Sequence, residues 1–253
     1  MMLISVVIPA YNEADYLEET ILNIQDRFTK LLPEKGLWEI IVCNNNSTDH
    51  TGEVAKRLGI QVVFEPVNQI SRARNTGAHS AKGEWILFLD ADTHPGMELM
   101  KDVLDIIRSG RYIGCGATLQ ITGGTKFNKL RLERVNPVIR WFKLAAGSFL
   151  LCRRDMFEET GGFSKDLYAL EEIDFVFRLK RIGRRVNKKF GVIYKHPVST
   201  SGRKDELSVS SMFRLFFSNF MAIFLFVLHF ILPSKLNRFL GTRLLGYWYK
   251  RRS

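Results

Sequence analysis

Short apolar runs and helix-length amphipathic stretches alternate along the first 120 residues. Ile4 to Ile8, Glu39 to Cys43, Gln61 to Phe64 and Trp85 to Leu89 have the length and β-rich composition of strands. Ala14 to Leu31, Thr51 to Leu58, Arg72 to Ala81 and Glu98 to Ile107 carry helical periodicity. Repeated βα alternation predicts an α/β fold with a mainly parallel central sheet and helices on both faces. In such sheets the ligand crevice lies at the carboxyl ends of the strands. The residues that follow the strands are therefore the candidates for chemistry: Pro9-Ala10-Tyr11-Asn12-Glu13, Asn44 to Asp49, and Asp90-Ala91-Asp92.

After residue 120 the pattern changes. Gly123-Gly124 opens a basic segment through Lys143, predicted as a surface-lying connection. Residues 145–163 predict a strand, a short helix from about Arg154 and a Gly-Gly turn. Residues 170–183 align Ile173, Val176, Phe177 and Leu179 to Ile182 on one helical face that stops at Gly183, and residues 185–194 predict a last edge strand. Residues 212–232, MFRLFFSNFMAIFLFVLHFIL, number 21, close to the ~20 needed to cross a bilayer, but Arg214, Asn219 and His229 interrupt them. After Pro233, KLNRFLGTRLLGYWYKRRS mixes Lys and Arg with Leu, Phe, Tyr and Trp, as a helix lying on anionic lipid does. Packing against the body or in a homo-oligomer is the alternative for these C-terminal hydrophobic and amphipathic helices.

Composition bounds the function. A chain of 253 residues, 46% hydrophobic, is long enough for one sizeable core with an appendage. The net charge of +11 is concentrated late: residues 201–253 carry nine Lys/Arg against Asp205 and Glu206, a net of +7. That places the excess beside the most hydrophobic segment and favours an anionic membrane surface over nucleic acid. Cys43, Cys115 and Cys152 are odd in number and lack metal spacing, which favours a reducing compartment. Leu3 to Ile8 has no basic flank or cleavage site and is read as a strand, not a signal peptide. Together these features predict a protein at the cytoplasmic face of the membrane, peripheral or monotopic.

Asp90 and Asp92 stand two positions apart at the end of an apolar run, with Thr93-His94-Pro95 to turn the chain. Paired carboxylates suit Mg²⁺ or Mn²⁺, which bind through one or two carboxylates plus substrate phosphates. Alone the pair is weak evidence, because Asp also starts turns and caps helices. It has company: SVVIPAYNEADYLEETI, IIVCNNNSTDHT, ARNTGAHSAKGEWILFLDADT and the later GGF and EEIDFVFRLK blocks follow in order across residues 3–200. In these motifs the chain resembles the family 2 glycosyltransferases, which have the GT-A (Rossmann-like) fold. The resemblance implies inverting transfer of a sugar from a nucleoside diphosphate donor, dependent on Mg²⁺ or Mn²⁺.

By that resemblance Pro9, Ala10, Tyr11 and Glu13 form the first donor-binding loop, with Asn12 as an N-cap. Asn44 stands where many relatives have Asp, beside Asn45 and Asn46, so recognition of the base, with uracil preferred, rests on an amide that both donates and accepts. Asp49 is expected to cap the next helix. Arg72 or Arg74 would face the diphosphate from a helix start, the other being a surface charge. Asp90 would reach the ribose or a metal-bound water past Ala91, and Asp92 would hold the metal, with His196 completing its shell. Glu172 matches the usual base, Glu171 is second, and Asp174 can instead pair with Arg178 at i+4. Helical geometry puts Glu171 and Asp174 on one face and turns Glu172 roughly 100° away. Arg203 and Lys204 would close over the diphosphate.

Residues 1–204 thus read as a catalytic domain, with 205–253 as a basic membrane-associating segment. The acceptor implied is a hydroxyl or phosphate of a lipid-linked or envelope glycan. A sugar nucleotidyltransferase is the competing enzyme, but PAYNEADYL lacks the Gly-rich phosphate loop of that class. A non-catalytic membrane or polyanion binder would gain nothing from the acids at Asp90, Asp92, Glu171 and Glu172.

Overall fold

The computed structural model describes residues 3–122 and 135–201. Its first half has the expected βα order: β1 (Ile4–Ala10), α1 (Ala14–Leu31), β2 (Trp38–Asn44), α2 (Thr51–Arg57), β3 (Gln61–Phe64), α3 (Ile70–His79) and β4 (Trp85–Leu89). These strands lie parallel in the order β3-β2-β1-β4, with Ile4 opposite both Trp38 and Trp85. β1 and β4 are buried at every position, which is why both read as apolar runs, interrupted only by the buried Ser5. α1 lays Leu17, Ile21, Ile24 and Phe28 on one sheet face, the i, i+4, i+7, i+11 stripe of an amphipathic helix. α3 belongs to the opposite face.

The second half contains β5 (Thr93–His94), α4 (Met97–Arg108), β6 (Tyr112–Thr122), α5 (residues 135–142), β7 (Phe149–Arg153), α6 (Arg154–Thr160), α7 (Glu171–Arg185) and β8 (Lys189–Ser201). The sheet continues β4-β7-β6-β8-β5. β7 runs antiparallel to β4 and β6, β8 parallel to β6, and β5 antiparallel to β8. β5 follows β4 by three residues yet pairs at the far edge, so the sheet curls back on itself. On the α3 face the Phe163 ring stacks on Phe175 at 4.5 Å and takes the Phe88 edge at 5.0 Å, seating α7 beneath the carboxyl end of β4.

Several expectations need correction. The sheet is mainly parallel as expected, with antiparallel pairings only beyond β4, at β4–β7, β7–β6 and β8–β5. β6 was not legible because Gly114 and Gly116 dilute its β-propensity. Close packing requires Gly116, since a Cβ there would lie 2.7 Å from the Ala145 Cα. α7 does not stop at Gly183 but runs to Arg185. Gly183 is needed for contact, its missing Cβ falling 2.6 Å from Ile113 Cδ1 and 2.8 Å from the Lys188 carbonyl oxygen. β8 is longer than the expected 185–194 segment and lies between β6 and β5 rather than at the edge. The three cysteines are free and buried, and burial pushes the Cys43 thiol up to about 12 and the other two higher still. Residues 205–253, including the hydrophobic run 212–232, lie outside the described residues. Among the described residues no helix is long and apolar enough to cross a membrane.

Candidate active site

The acid-pair turn is held from four sides. The Asp90 N–H donates to the Ser148 carbonyl (3.2 Å), and the Thr93 N–H donates back to the Asp90 carbonyl (3.2 Å). The Thr20 hydroxyl, on the buried stripe of α1, donates to the Ala91 carbonyl at 2.7 Å. The Asp92 carbonyl accepts from the Ser201 N–H at the end of β8 (3.2 Å). Asp92 is 2% exposed, whereas the Asp90 side chain keeps 29% of its surface. Thr20 escaped the sequence reading; the available signal was a polar residue within the apolar series Leu17, Ile21, Ile24. Thr20→Val preserves shape but leaves the buried Ala91 carbonyl unpaired. It is expected to cost about 1–3 kcal/mol, read as a lower urea midpoint at unchanged slope.

Opposite the turn, Leu170 adopts a left-handed backbone (φ 60) and starts α7 abruptly, setting Glu171, Glu172 and Asp174 in its first turn. Carboxylates there face the positive end of the helix dipole. Arg74, 4% exposed, joins this helix to the acid pair. Its Nη1 donates to Glu171 Oε1 at 2.7 Å; its Nη2 donates to the Gly147 carbonyl at 2.9 Å and stands 3.5 Å from Asp90 Oδ1. The guanidinium lies 5.3 Å from the Phe163 ring centroid. Gly147 is required, because a Cβ there would come within 2.7 Å of Nη2. Burial works against the Arg74 charge, but the Glu171, Asp90 and Glu172 charges outweigh it. Arg74 is therefore not the open anion site expected at the start of α3: both Nη groups are spent inside the protein, and its Nε is buried without a hydrogen-bond partner among the described residues. Arg72, half-buried in the first turn of α3, is positioned by Gln69 through Nε (3.1 Å).

The adjacent acids of α7 are differentiated by these contacts. Glu171 is buried against Arg74. Glu172 keeps part of its surface open, yet it is crowded enough that burial, and then the Glu171 charge, push its carboxyl up to about 8, against the pull of Arg74. Asp90 adds to the same upward push, so the base candidate and the acid pair share one electrostatic site. Asp174 accepts both Nε and Nη2 of Arg178 (2.9 and 2.7 Å), and Arg178 also donates to the Thr160 carbonyl, which docks α6 on α7. Of the two readings open for Asp174, this is the helical pairing.

The two remaining loops stand at the carboxyl ends of β1 and β2, the same sheet edge as Asp90. Asn12 does not cap α1. Its backbone is left-handed (φ 53), and it turns instead to the second loop, donating its N–H to Ser47 Oγ (3.1 Å) and accepting the Thr48 N–H (2.8 Å). Asp49 does the capping for both helices, accepting the Ala14 N–H (3.1 Å) and the Thr51 N–H (2.9 Å). Burial raises the Asp49 pKa, but these hydrogen bonds win and hold it below the usual carboxylate range. Pro9 and Ala10 are buried at the end of β1, and the Glu13 N–H is held by Thr51 Oγ1 (2.8 Å), with Tyr11 between them. In the asparagine run, Asn44 accepts the Ser47 N–H (2.9 Å) and Asn46 is exposed in a left-handed turn. Asn45 is buried and staples the loop after β3 through Val67 (2.6 Å) and Gln69 (3.0 Å).

His196 is not brought to the acids. β8 bulges between Ile193 and Val198, and His196 Nδ1 lies 2.8 Å from Asp102 Oδ2 on α4. Among the described residues no three His, Cys, Asp or Glu side chains gather as a metal-binding group. The two hard carboxylates Asp90 and Asp92 fit Mg²⁺ or Mn²⁺ without a third protein ligand, since such ions take substrate oxygens and water for the rest. Arg203 and Lys204 lie outside the described residues.

An α/β sheet that curls to gather an acid pair, two loops at neighbouring strand ends and an acidic helix start on one edge defines a transferase of the GT-A type. The Glycosyl transferase family 2 model matches residues 5–166, and the chain belongs to that family. The glycosyltransferase AglE of Haloferax volcanii is 25% identical over 252 residues, covering 91% of this chain and 82% of AglE. Among solved structures, the mannosyltransferase PcManGT of Pyrobaculum calidifontis, in complex with GDP-Man and Mn²⁺, superposes with a TM-score of 0.65 at 17% identity over 96% of this chain and 74% of its own. TarS 1–349 of S. aureus, in complex with UDP-GlcNAc, gives 0.63 at 18% identity over 96% and 72%. Likeness at this identity carries the fold.

Proposed function

We propose that this glycosyltransferase moves a sugar, with inversion, from a nucleoside diphosphate donor of the UDP type to a hydroxyl or phosphate of a lipid-linked or envelope glycan. The observation that carries the reading is the Arg74–Glu171 bridge, which sets the acid pair of β4 and the raised-pKa carboxyl of Glu172 in one site. The nucleotide sugars in the TarS and PcManGT complexes support the donor class. Asp92 and Asp90 would hold Mg²⁺ or Mn²⁺, which when bound neutralises charge developing on the departing diphosphate. The strand-end loops Pro9 to Glu13 and Asn44 to Asn46 would take base and ribose, and Arg72 would meet the diphosphate. Glu172 accepts the proton of the acceptor hydroxyl at its carboxylate, while Glu171 and Arg74 fix its position. The C-terminal segment 205–253 supplies basic and apolar residues for an anionic membrane surface at the cytoplasmic face.

A thermal-shift screen of nucleoside diphosphates with and without Mn²⁺ tests the donor. Ligand at 100 times its Kd stabilises by about 2.7 kcal/mol, so UDP with Mn²⁺ is expected to raise Tm where other bases do not. No shift, or one equal for all bases, overturns the reading. Asp92→Asn keeps size and removes charge. It is expected to raise the Mn²⁺ concentration for half-maximal turnover by about tenfold or more with the fold intact, and near-normal metal dependence would remove Asp92 from the metal.

A further inference from the structure

Helix α5 presents most of its apolar side chains outward. Its polar Asn136 faces the sheet, where the side-chain amide accepts from the Leu119 N–H and donates to the Leu119 carbonyl, each at 2.9 Å. Arg140, itself exposed, lies over the exposed Tyr194 ring, 4.1 Å from its centroid. Val138, Trp141 and Phe142 point the other way, 47%, 84% and 58% exposed, while Ile139, on the inward side with Asn136, is buried. A surface helix normally buries its apolar stripe. This one docks through Asn136 and Ile139 and presents Val138, Trp141 and Phe142 outward.

The patch continues onto α7. Lys180 Nζ donates to the Phe142 carbonyl (2.6 Å), and Phe177, one turn earlier, is 45% exposed. Lys143 and Arg184 lie close enough to repel the Lys180 ammonium, whose pKa burial first and then these charges hold down. From Arg178 to Lys195 the sequence carries eight Lys/Arg and no acid. Arg178 and Arg185 are paired with Asp174 and Glu159, but exposed Trp and Phe beside the remaining cations match the chemistry of a bilayer interface, where indole sits at headgroup level and Lys/Arg meet anionic lipid.

We propose that the face formed by Val138, Trp141, Phe142 and Phe177, with Lys143 and Arg184 at its rim, docks on an anionic lipid bilayer. Charge decides against the other occupants. A second copy packed face to face sets these cations against their own symmetry mates, and residues 201–253 of the chain carry a net +7 themselves. The proposal deepens the membrane-borne acceptor reading, which supplies its purpose, but lipid binding does not depend on sugar transfer.

The test is co-sedimentation of the full chain with vesicles of phosphatidylcholine alone or with about a third phosphatidylglycerol, a composition that supplies the anionic surface. The double variant W141S/F142S is expected to bind anionic vesicles at least about tenfold more weakly, from the apolar area withdrawn from lipid. K143Q/R184Q should lose about fivefold per cation at low salt, as 1 kcal/mol per charge implies. Unchanged binding of both variants, or equal binding of wild type to neutral vesicles, overturns the proposal. So does a wild-type dimer in sedimentation equilibrium that W141S/F142S dissociates. The UDP/Mn²⁺ thermal shift is read on the same proteins: its retention in the variants reports an intact site, and its absence in the wild type defeats the donor reading without touching the vesicle result.

Discussion

Glu172→Gln is expected to transfer sugar roughly 10²–10⁴-fold more slowly than the wild type while binding donor equally well, the loss typical of a removed general base. The amide keeps the size of the carboxyl and its place in the first turn of α7 but cannot take a proton from the acceptor hydroxyl. The variant should fold at least as stably, because a neutral group at 172 no longer contends with burial and with the Glu171 charge. Steady-state kinetics alongside calorimetric donor binding separate the two effects. Turnover within a few-fold of wild type would pass the role to Glu171. A pH profile gives a second readout. A base works only when deprotonated, and the Glu172 carboxyl is pushed up from 4.5 to about 8, by burial first and then by Glu171. Hence kcat/KM, which reports the free enzyme, should climb as pH rises through about 8 and then level. Glu171→Gln removes the repelling charge and leaves Arg74 pulling downward, so its ascending limb should move to lower pH.

Arg74→Met should be the most destabilising single substitution at the site, by about 3–5 kcal/mol, since it strands the buried Glu171 carboxylate. Glu171 is 4% exposed, and Arg74 Nη1 at 2.7 Å is its cation. Arg74→Lys is not a conservative repair. One ammonium cannot reach Glu171 and the Gly147 carbonyl along the two prongs that the guanidinium uses. The double variant R74M/E171M removes both charges together and is expected to recover most of the stability, because replacing a buried pair with apolar groups is often neutral. Denaturant midpoints of the three proteins decide. A loss below about 1 kcal/mol in Arg74→Met would show that the bridge is solvated and carries little.

The parallel half of the sheet was legible because β1, β4 and the centre of β2 are buried and leave largely apolar runs, and because the loops after them hold polar residues no core would keep. Elements defined by contact rather than pattern were not. β6 is diluted by glycines that other strands press against, and β5 is two residues long. The position of Arg74 at a helix start was readable, but its burial depends on Gly147, Phe163 and Glu171, all remote in sequence. His196 was judged by its order along the chain, and a bulge in β8 sends it to Asp102 instead. Glu171 and Glu172 are distinguishable in sequence only by helical angle; the Arg74 bridge supplies the electrostatic difference between them.

The pairing of β5 with β8 also sets when the acid turn is fastened. β1, β2 and β3 pair through neighbouring βα units, contacts short in sequence, whereas β4 joins β1 across the whole first half, Ile4 meeting Trp85. The turn bearing Asp90 and Asp92 is fastened at Thr93 by Thr200 and at the Asp92 carbonyl by Ser201, at the end of the last strand among the described residues. The acids therefore precede in sequence the strand that holds their turn, and the turn is fully fastened only when β8 is docked beside β5.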